Sequence, residues 1–503
     1  MNKSLRIFAF CGGLLFTAPA FAEDYGDKER DKASVEFEVD GSVRYRFENW
    51  NQHPFLWGDN DLLVSAFPGL YINLPEIFNH NYTNLQTLRS QVGIKARLTD
   101  DKYAYVQFQD ARYFGMDALN WYRGDIGQTP ELHNFNSTDQ FGVTQAFFNV
   151  TKLWETPLGI KIGRQYLSYD SERMVGKDDW SLYGQSFDAI KIMYRQDKFD
   201  GDVFYSQFSP FYPLDNVFPN INFFGFHGTA KINENLNWSA YLFGYRDGET
   251  PTALGSADPF EEIADGDPDA KTLLWTLGSH VKGELGDKVK VSYNGEAAFQ
   301  FGDWYGFDAS GLMLAGGAKV QFSDMATKPY FGANFTYASG DDSADGDKST
   351  FVRLFPSPHR DLGKLDIVGM QNVFNFELNG GISPTPKLDL KAAFNLFWLN
   401  ETRDAWYGGY GQPLDVPGGA FRPGRGVFGS GGQEWGSSSL GQELDFSLRY
   451  EYVEGMHVKT GWSHFFMGEA GNNIDYDPAG APPPTTVDLA DVDWFFVQTG
   501  LDF

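Results

Sequence analysis

The chain has 503 residues, 40 Lys and Arg against 67 Asp and Glu, a formal charge of −27 and a single cysteine, Cys11. So acidic a balance argues against a nucleic-acid partner, one cysteine rules out a disulfide within the chain, and no apolar run beyond the N-terminal segment approaches the ~18 residues of a membrane helix. Aromatic residues at 17% and 56 glycines suit strands and interfacial girdles better than a helical enzyme.

Residues 1–22 read as a secretory signal, with Lys3 and Arg6 at its start, an apolar stretch at 7–16 and Ala20-Phe21-Ala22 as a cleavage site before Glu23. Cleavage would remove Cys11, two cations and no acid, leaving a cysteine-free chain of charge −29. An exported protein of this size without disulfides needs another means of holding together, and a closed, fully hydrogen-bonded barrel in a membrane is one. Residues 23–503 show no shift in composition that would mark a second domain.

The first strand signal lies at 33–50. Val35, Phe37, Val39, Val43, Tyr45 and Phe47 point one way, and Glu36, Glu38, Asp40, Ser42, Arg44, Arg46 and Glu48 the other. A soluble sandwich would need a second sheet over the apolar side, whereas a membrane barrel turns that side to lipid and lines water with the ionic side. Connection lengths separate the two. Short turns at 99–101, 156–159, 197–201, 233–235, 286–287, 324–329, 383–386 and 453–455 alternate with long segments at 51–84, 113–140, 170–185, 209–221, 248–270, 303–309, 340–366, 401–438 and 469–490. Eight short and nine long connections predict an all-β fold, a transmembrane antiparallel β-barrel of about 18 strands with short periplasmic turns, long extracellular loops and both termini in the periplasm.

Later strands repeat the pattern. Val289, Val291, Tyr293, Ala297, Phe299 and Phe301 alternate with Lys290, Ser292, Asn294, Glu296 and Gln300, and Leu444, Phe446, Leu448 and Tyr450 alternate with Glu443, Asp445, Ser447, Arg449 and Glu451. Charge on a lipid face costs a few kcal/mol at the midplane, so these residues predict a wet, charged interior. The last strand, 492–503, places Phe495, Val497, Thr499, Leu501 and Phe503 on one face and resembles the assembly signal of bacterial outer-membrane barrels. Partners implied are the barrel assembly machinery and the outer-membrane lipid and lipopolysaccharide around the wall.

The most specific stretch is 160–194. It reads Ile160-Lys161-Ile162-Gly163-Arg164-Gln165-Tyr166-Leu167, then Glu172-Arg173-Met174-Val175-Gly176, Asp179-Trp180 and Phe187-Asp188-Ala189-Ile190. With Val106-Gln107-Phe108-Gln109-Asp110-Ala111-Arg112 and Gln145-Ala146-Phe147, it resembles the GRQ segment, arginine-bearing loop, F-D-G-type strand and early Asp-x-Arg strand of the alginate-export family of outer-membrane porins. That resemblance implies a non-enzymatic, anion-selective channel for an anionic polysaccharide or oligosaccharide, an alginate-like polyuronate, with a cation-lined constriction. A polyuronate carries a carboxylate on every sugar, and Arg forks hold carboxylates without titrating.

Lumen or strand-end candidates for such a path are Arg44, Arg46, Arg89, Lys95, Arg97, Arg112, Arg164, Arg173, Lys191, Arg195, Arg449 and Lys459, with Asp110 and Asp188 as acids that could hold arginines in place. Arg164 breaks the alternation: counted from Ile160 and Ile162 it faces lipid, unless Gly163 makes a bulge or the strand has already left the hydrocarbon. The acids Glu36, Glu38, Glu296, Glu377, Glu443, Asp445 and Glu451 share the lumen parity and leave the sign of selectivity open. A general or other-solute porin of the same fold, with uptake in place of export, is the alternative. An enzyme would have to draw on His227, His280, His457 or His464, none at a fixed spacing from a serine, so no catalytic residues are assigned. An adhesin would bind its partner through the long loops, and the aromatic, Gly-rich stretch 406–435 could do that or could equally fold inward as a gate or plug. No cofactor is implied; the acidic segments 251–270 and 341–347 offer calcium-type oxygen ligands without an ordered spacing. A periplasmic delivery partner is compatible with the plan.

Overall fold

The computed structural model describes residues 35–51, 63–67, 70–73, 82–114, 139–209, 221–248, 271–304, 306–342, 347–409, 411, 435–471, 474–476, 485–487 and 489–503. The signal-like segment 1–22 and the acidic segment 251–270 lie outside these residues.

Eighteen strands form one sheet. In chain order they are β1 (Glu36–Asn51), β2 (Tyr82–Thr99), β3 (Lys102–Phe114), β4 (Asp139–Val150), β5 (Leu158–Gln165), β6 (Ser186–Arg195), β7 (Phe199–Ser209), β8 (Asn222–Asn233) and β9 (Leu236–Asp247). The second half comprises β10 (Thr272–Leu285), β11 (Val289–Trp304), β12 (Phe307–Phe322), β13 (Tyr330–Ala338), β14 (Val373–Thr385), β15 (Leu388–Leu399), β16 (Ser439–Val453), β17 (Met456–Met467) and β18 (Val492–Asp502). Each strand pairs antiparallel with its sequence neighbours, and β1 pairs with β2 on one side and β18 on the other, from Ser42 opposite Asp502 to Asn51 opposite Asp493. The sheet is thereby a closed barrel, which removes every long free edge.

Connection lengths follow the predicted alternation, with one exception. The segment 303–309, expected to be a long loop, is a tight turn, because β11 runs to Trp304 and β12 starts at Phe307. Period-2 alternation holds around the wall. Phe37, Val39, Val203, Tyr205, Phe331 and Phe503 are exposed on the outside, while Arg44, Arg46, Arg89, Gln109 and Gln498 are buried on the inside.

The inner wall departs from the uniformly wet interior that the ionic faces predict. Toward the extracellular ends of the strands both faces turn apolar: Trp494 and Phe496 on β18, Phe187 on β6, Phe204 on β7, Phe223 on β8, Phe243 on β9, Phe397 on β15 and Phe465 on β17 are all buried inward. They share one core with Leu167, Met174, Val175, Phe351, Leu354, Phe355, Leu365, Ile367 and Val368, residues of the connections after β5 and β13. The outer part of the bore is therefore filled by loop, and burial of these side chains from water drives the filling.

Candidate functional site

Two in-folded segments make the plug: 166–185, between β5 and β6, and 347–372, between β13 and β14. They bond to each other as a short parallel bridge between Val175 and Phe355. Gly176 N–H donates to the Phe355 carbonyl at 2.8 Å, Phe355 N–H to the Met174 carbonyl at 2.9 Å and Ser357 N–H to the Glu172 carbonyl at 3.0 Å. Gln185 Nε2 donates to the Pro356 carbonyl at 2.7 Å. The ends of 406–435 join the same core: Trp406 Nε1 donates to the Ile367 carbonyl and Trp435 Nε1 to the Asp404 carbonyl, so that stretch begins and ends inside the barrel. Aromatic side chains inside a wall need such partners for their N–H groups.

Wall residues clamp the plug from all sides. On β1 and β2, Arg44 donates to the carbonyls of Asp179 (2.6 Å) and Ser181 (2.7 Å), Arg46 to that of Trp180 (3.0 Å), and Arg89 to the Asp179 carboxylate (2.8 Å). Arg46 also lies 4.0 Å from the Trp180 ring centroid, and Trp180 stacks on His359 at 3.8 Å. On the opposite side Asp170 accepts from His227 (2.7 Å) and Ser239 (2.8 Å), with His280 at 3.5 Å. Burial works to raise the Asp170 carboxyl, but the bonds from His227 and His280 outweigh it and hold it below the usual carboxylate range. Glu296 on β11 accepts from Ser171 (2.6 Å), Tyr241 (2.9 Å) and Arg173 (3.2 Å). Glu443 on β16 accepts the N–H groups of Lys364 and, at 3.1 Å, Leu365. Gly363 permits this approach: it sits at φ +77, and a Cβ there would collide with the Glu443 carboxylate.

One plug acid is misplaced electrostatically. Asp178 is buried, among the described residues its Oδ1 has no hydrogen-bond partner, and burial pushes its carboxyl up to about 6. A raised carboxyl favours the docked plug while protonated, so this contribution is complete below pH ~4 and is lost as the pH rises through about 6. His359 runs the other way: burial lowers its imidazole despite Asp366 alongside, so its contribution is present above its ordinary value and falls as the pH drops. Asp178→Asn isolates the first effect. It is expected to tighten the plug by up to about 3 kcal/mol at pH 8 and by little at pH 4, read as slower amide exchange across 166–185; equal exchange in both proteins at pH 8 would contradict it.

Beneath the plug, near the periplasmic ends of β17 and β18, lies a cavity of about 390 Å³. Arg44, Arg89, Lys177, Arg360 and Lys459 line it against Glu172, Asp179 and Asp502, with Trp180, His359 and His457 beside them. Strand register explains why cations meet here. Arg44 stands opposite Arg89 across β1 and β2, and one row runs from Arg46 to Gln498, Lys459 and Arg449 across β1, β18, β17 and β16. Lys177 and Lys459 have no ion-pair partner among the described residues, and Coulomb attraction between them and an entering anion is only partly screened at such depth.

The path residues read from the sequence fall in different places. Arg46 lies in this row and Arg89 beside it, both clamping the plug, whereas Arg173 is buried in the plug itself, within 3.2 Å of Glu296 and 3.4 Å of Asp361. Lys191 and Arg195 converge on the inward Asp202, and Arg449 pairs with Glu451. Arg112, Asp110, Arg164 and Asp188 do not line the bore. Arg112 forks onto Asp110 (2.6 and 3.1 Å) and Arg164 onto Asp188 (both 3.0 Å), and these pairs share parity with the outward Phe108, Ile162 and Ile190 near the extracellular strand ends. For Arg164 the alternation runs unbroken, Arg164 standing opposite Asp188 and Ile162 opposite Ile190. Its charge is accommodated because β5 ends at the next residue and the partner acid is beside it. Lys177, Trp180, His359 and Arg360 were not among the sequence candidates, since loops carry no period to read.

Of the four histidines considered from the sequence, His227 and His280 share Asp170, Ser239 donates to that carboxylate instead of to an imidazole, His464 faces outward beside Asp493, and His457 borders the cavity, as does His359 of the plug. Asp341 is buried with its N–H on Asp404, and no group of three or more metal-ligating side chains occurs among the described residues.

The family described as Alginate export matches residues 77–476. No curated protein matches the chain in sequence. Among solved structures, Pseudomonas aeruginosa OccK11 (OpdR) is 10% identical, with 92% of this chain and 96% of that one covered at a TM-score of 0.51. Acinetobacter baumannii OccAB1 is 10% identical over 92% and 96% at 0.53, and the Pseudomonas aeruginosa outer membrane protein OpdK is 8% identical over 93% and 98% at 0.54. At these identities the likeness is one of fold. With the family match, it locates the protein in the bacterial outer membrane.

Proposed function

The chain belongs to the alginate-export family, and from that premise we propose that this outer-membrane channel carries an anionic saccharide chain past the cationic cavity beneath its plug. The observation that carries this reading is the row of Arg46, Lys459 and Arg449, with Arg44 and Arg89 beside it and two lysines, Lys177 and Lys459, without an ion-pair partner among the described residues, inside a protein of net charge −27. Cations gathered beside one cavity replace the water a carboxylate loses, while spacing them over several strands keeps any one from trapping the chain.

Planar-bilayer recording tests it. The channel is expected to be anion-selective and to be blocked by oligoguluronate, with block weakened roughly tenfold in Lys177→Ala/Lys459→Ala, the loss of two close charge contacts in a partly screened site. Cation selectivity without block would sink the reading. One feature supports a narrower version, a porin for small anionic solutes: the cavity's volume falls within the ~300–1,000 Å³ that suits a small ligand and the plug covers it. Block by short uronate oligomers and none by long ones would favour that version.

A further inference from the structure

We infer that the wall facing the cationic row, formed by β9 to β16, is a hydroxyl-recognition ramp for a saccharide chain. The inference deepens the saccharide reading above and rests on it. Strand register links one lumenal residue on each of eight strands into a single row. Asn237 stands opposite Lys282, Lys282 opposite Asn294, Asn294 opposite Gly317, and Gly317 opposite Asn334. Asn334 stands opposite Glu377, Glu377 opposite Asn395, and Asn395 opposite Glu443.

The row climbs as it goes round. Asn237 is the second residue of β9, at the periplasmic turn, whereas Glu443 lies deep in the wall and holds the plug backbone at Lys364 and Leu365. It thus leads from the periplasmic mouth to the underside of the plug. A cavity of about 520 Å³ lies along its lower part, lined by Asn235, Asn237, Asn294, Asn334 and Asn379 together with Lys282 and Lys319.

The chemistry of the row is specific. An amide offers two donors and an acceptor, and a sugar hydroxyl is donor and acceptor at once, so amides match hydroxyls where a carboxylate-binding wall would hold donors alone. A wall that only had to be wet would be served by Ser, Thr or the charged pairs found elsewhere in this lumen. Here the amides lie close to the wall: a Cβ on Gly317 would run into Asn334 Oδ1, so the glycine leaves room for the amide to lie against the strand. Asn334 and Asn379 both donate to Glu377 Oε1, which orients their amides, with Asn334 Oδ1 over Gly317 and Asn379 Oδ1 over Gly332. Asn294 Oδ1 has no hydrogen-bond partner among the described residues.

Bilayer recording with two probes of opposite chemistry tests the ramp: maltohexaose, uncharged and rich in hydroxyls, and propane-1,2,3-tricarboxylate, charged and without a hydroxyl. Maltohexaose is expected to block the unmodified channel, and Asn237→Ala/Asn294→Ala is expected to weaken that block roughly tenfold, as the loss of two or three hydrogen bonds would. The loss should fall on maltohexaose and not on the tricarboxylate. Asn294→Ala alone, whose heat-modifiable migration on gels reports a closed barrel, should show part of the same loss. The ramp is overturned if maltohexaose fails to block the unmodified channel, if its block survives both variants, or if both probes lose block equally. Because oligoguluronate block at Lys177 and Lys459 is a separate measurement, failure of the ramp and failure of the charge reading are told apart.

Discussion

Replacing residues 167–184 by an Asn-Gly turn is expected to raise single-channel conductance by roughly an order of magnitude, toward the open aqueous bore that barrels of 16–18 strands leave when nothing folds into them. The ladders do not depend on this segment: β5 pairs with β4 and β6 through strand residues alone, and Asn-Gly is a two-residue turn suited to antiparallel strands. The plug does depend on it. Without Val175, Gly176 and Glu172, segment 347–372 loses its bridge, and Phe187, Phe208 and Phe223 lose the cover of Phe355. Unchanged conductance in a variant that still forms the heat-modifiable barrel would mean that the plug does not limit the current.

Arg173→Ala should have the largest effect of any single substitution on plug docking. Its guanidinium is 8% exposed and Glu296 opposite is 2% exposed, and breaking a buried pair from one side leaves a buried charge uncompensated, at a cost of about 3–5 kcal/mol. Amide exchange across 166–185 should then quicken by roughly a hundredfold or more. Arg173→Met combined with Glu296→Gln should recover most of the protection, since Glu296 also accepts from Ser171 at one oxygen and Tyr241 at the other, and an amide can accept from one of these hydroxyls while its NH2 donates to the other. A change of only a few-fold in Arg173→Ala would show that the plug is seated by its apolar contacts and the other clamps.

The barrel was legible because its outer face is simple. Lipid demands apolar side chains at every second position, and residues such as Phe495, Val497 and Leu501 can be read by counting. The cationic row was half legible: Arg44, Arg46, Arg89, Arg449 and Lys459 carry the lumen parity, but their meeting depends on register between β1, β2, β16, β17 and β18, which no single segment encodes. Arg164 and Arg112 show the opposite failure. Parity alone put Arg164 outside, where it is, and the motif resemblance drew it and Arg112 inward. The plug left a sign that alternation hides. Near the extracellular end of β15, Leu396, Phe397, Trp398 and Leu399 are all apolar, as are Phe465 and Phe466 on β17 and Phe495 and Phe496 on β18. A strand greasy on both faces near one end needs a dry neighbour on its inner side, and 347–372, with Phe351, Val352, Leu354 and Phe355, is too apolar for a loop in water.

The bond from Ser357 Oγ to Glu172 Oε2 joins positions 185 apart in the chain. Contacts of such long sequence separation form late, and eight further strands, β6 to β13, must be threaded into the bilayer between the two halves. A chain halted before residue 347 would lack both the second half of the plug and the strands from β14 to β18 that close the wall, so sealing the bore and completing its rim draw on the same late stretch of polypeptide.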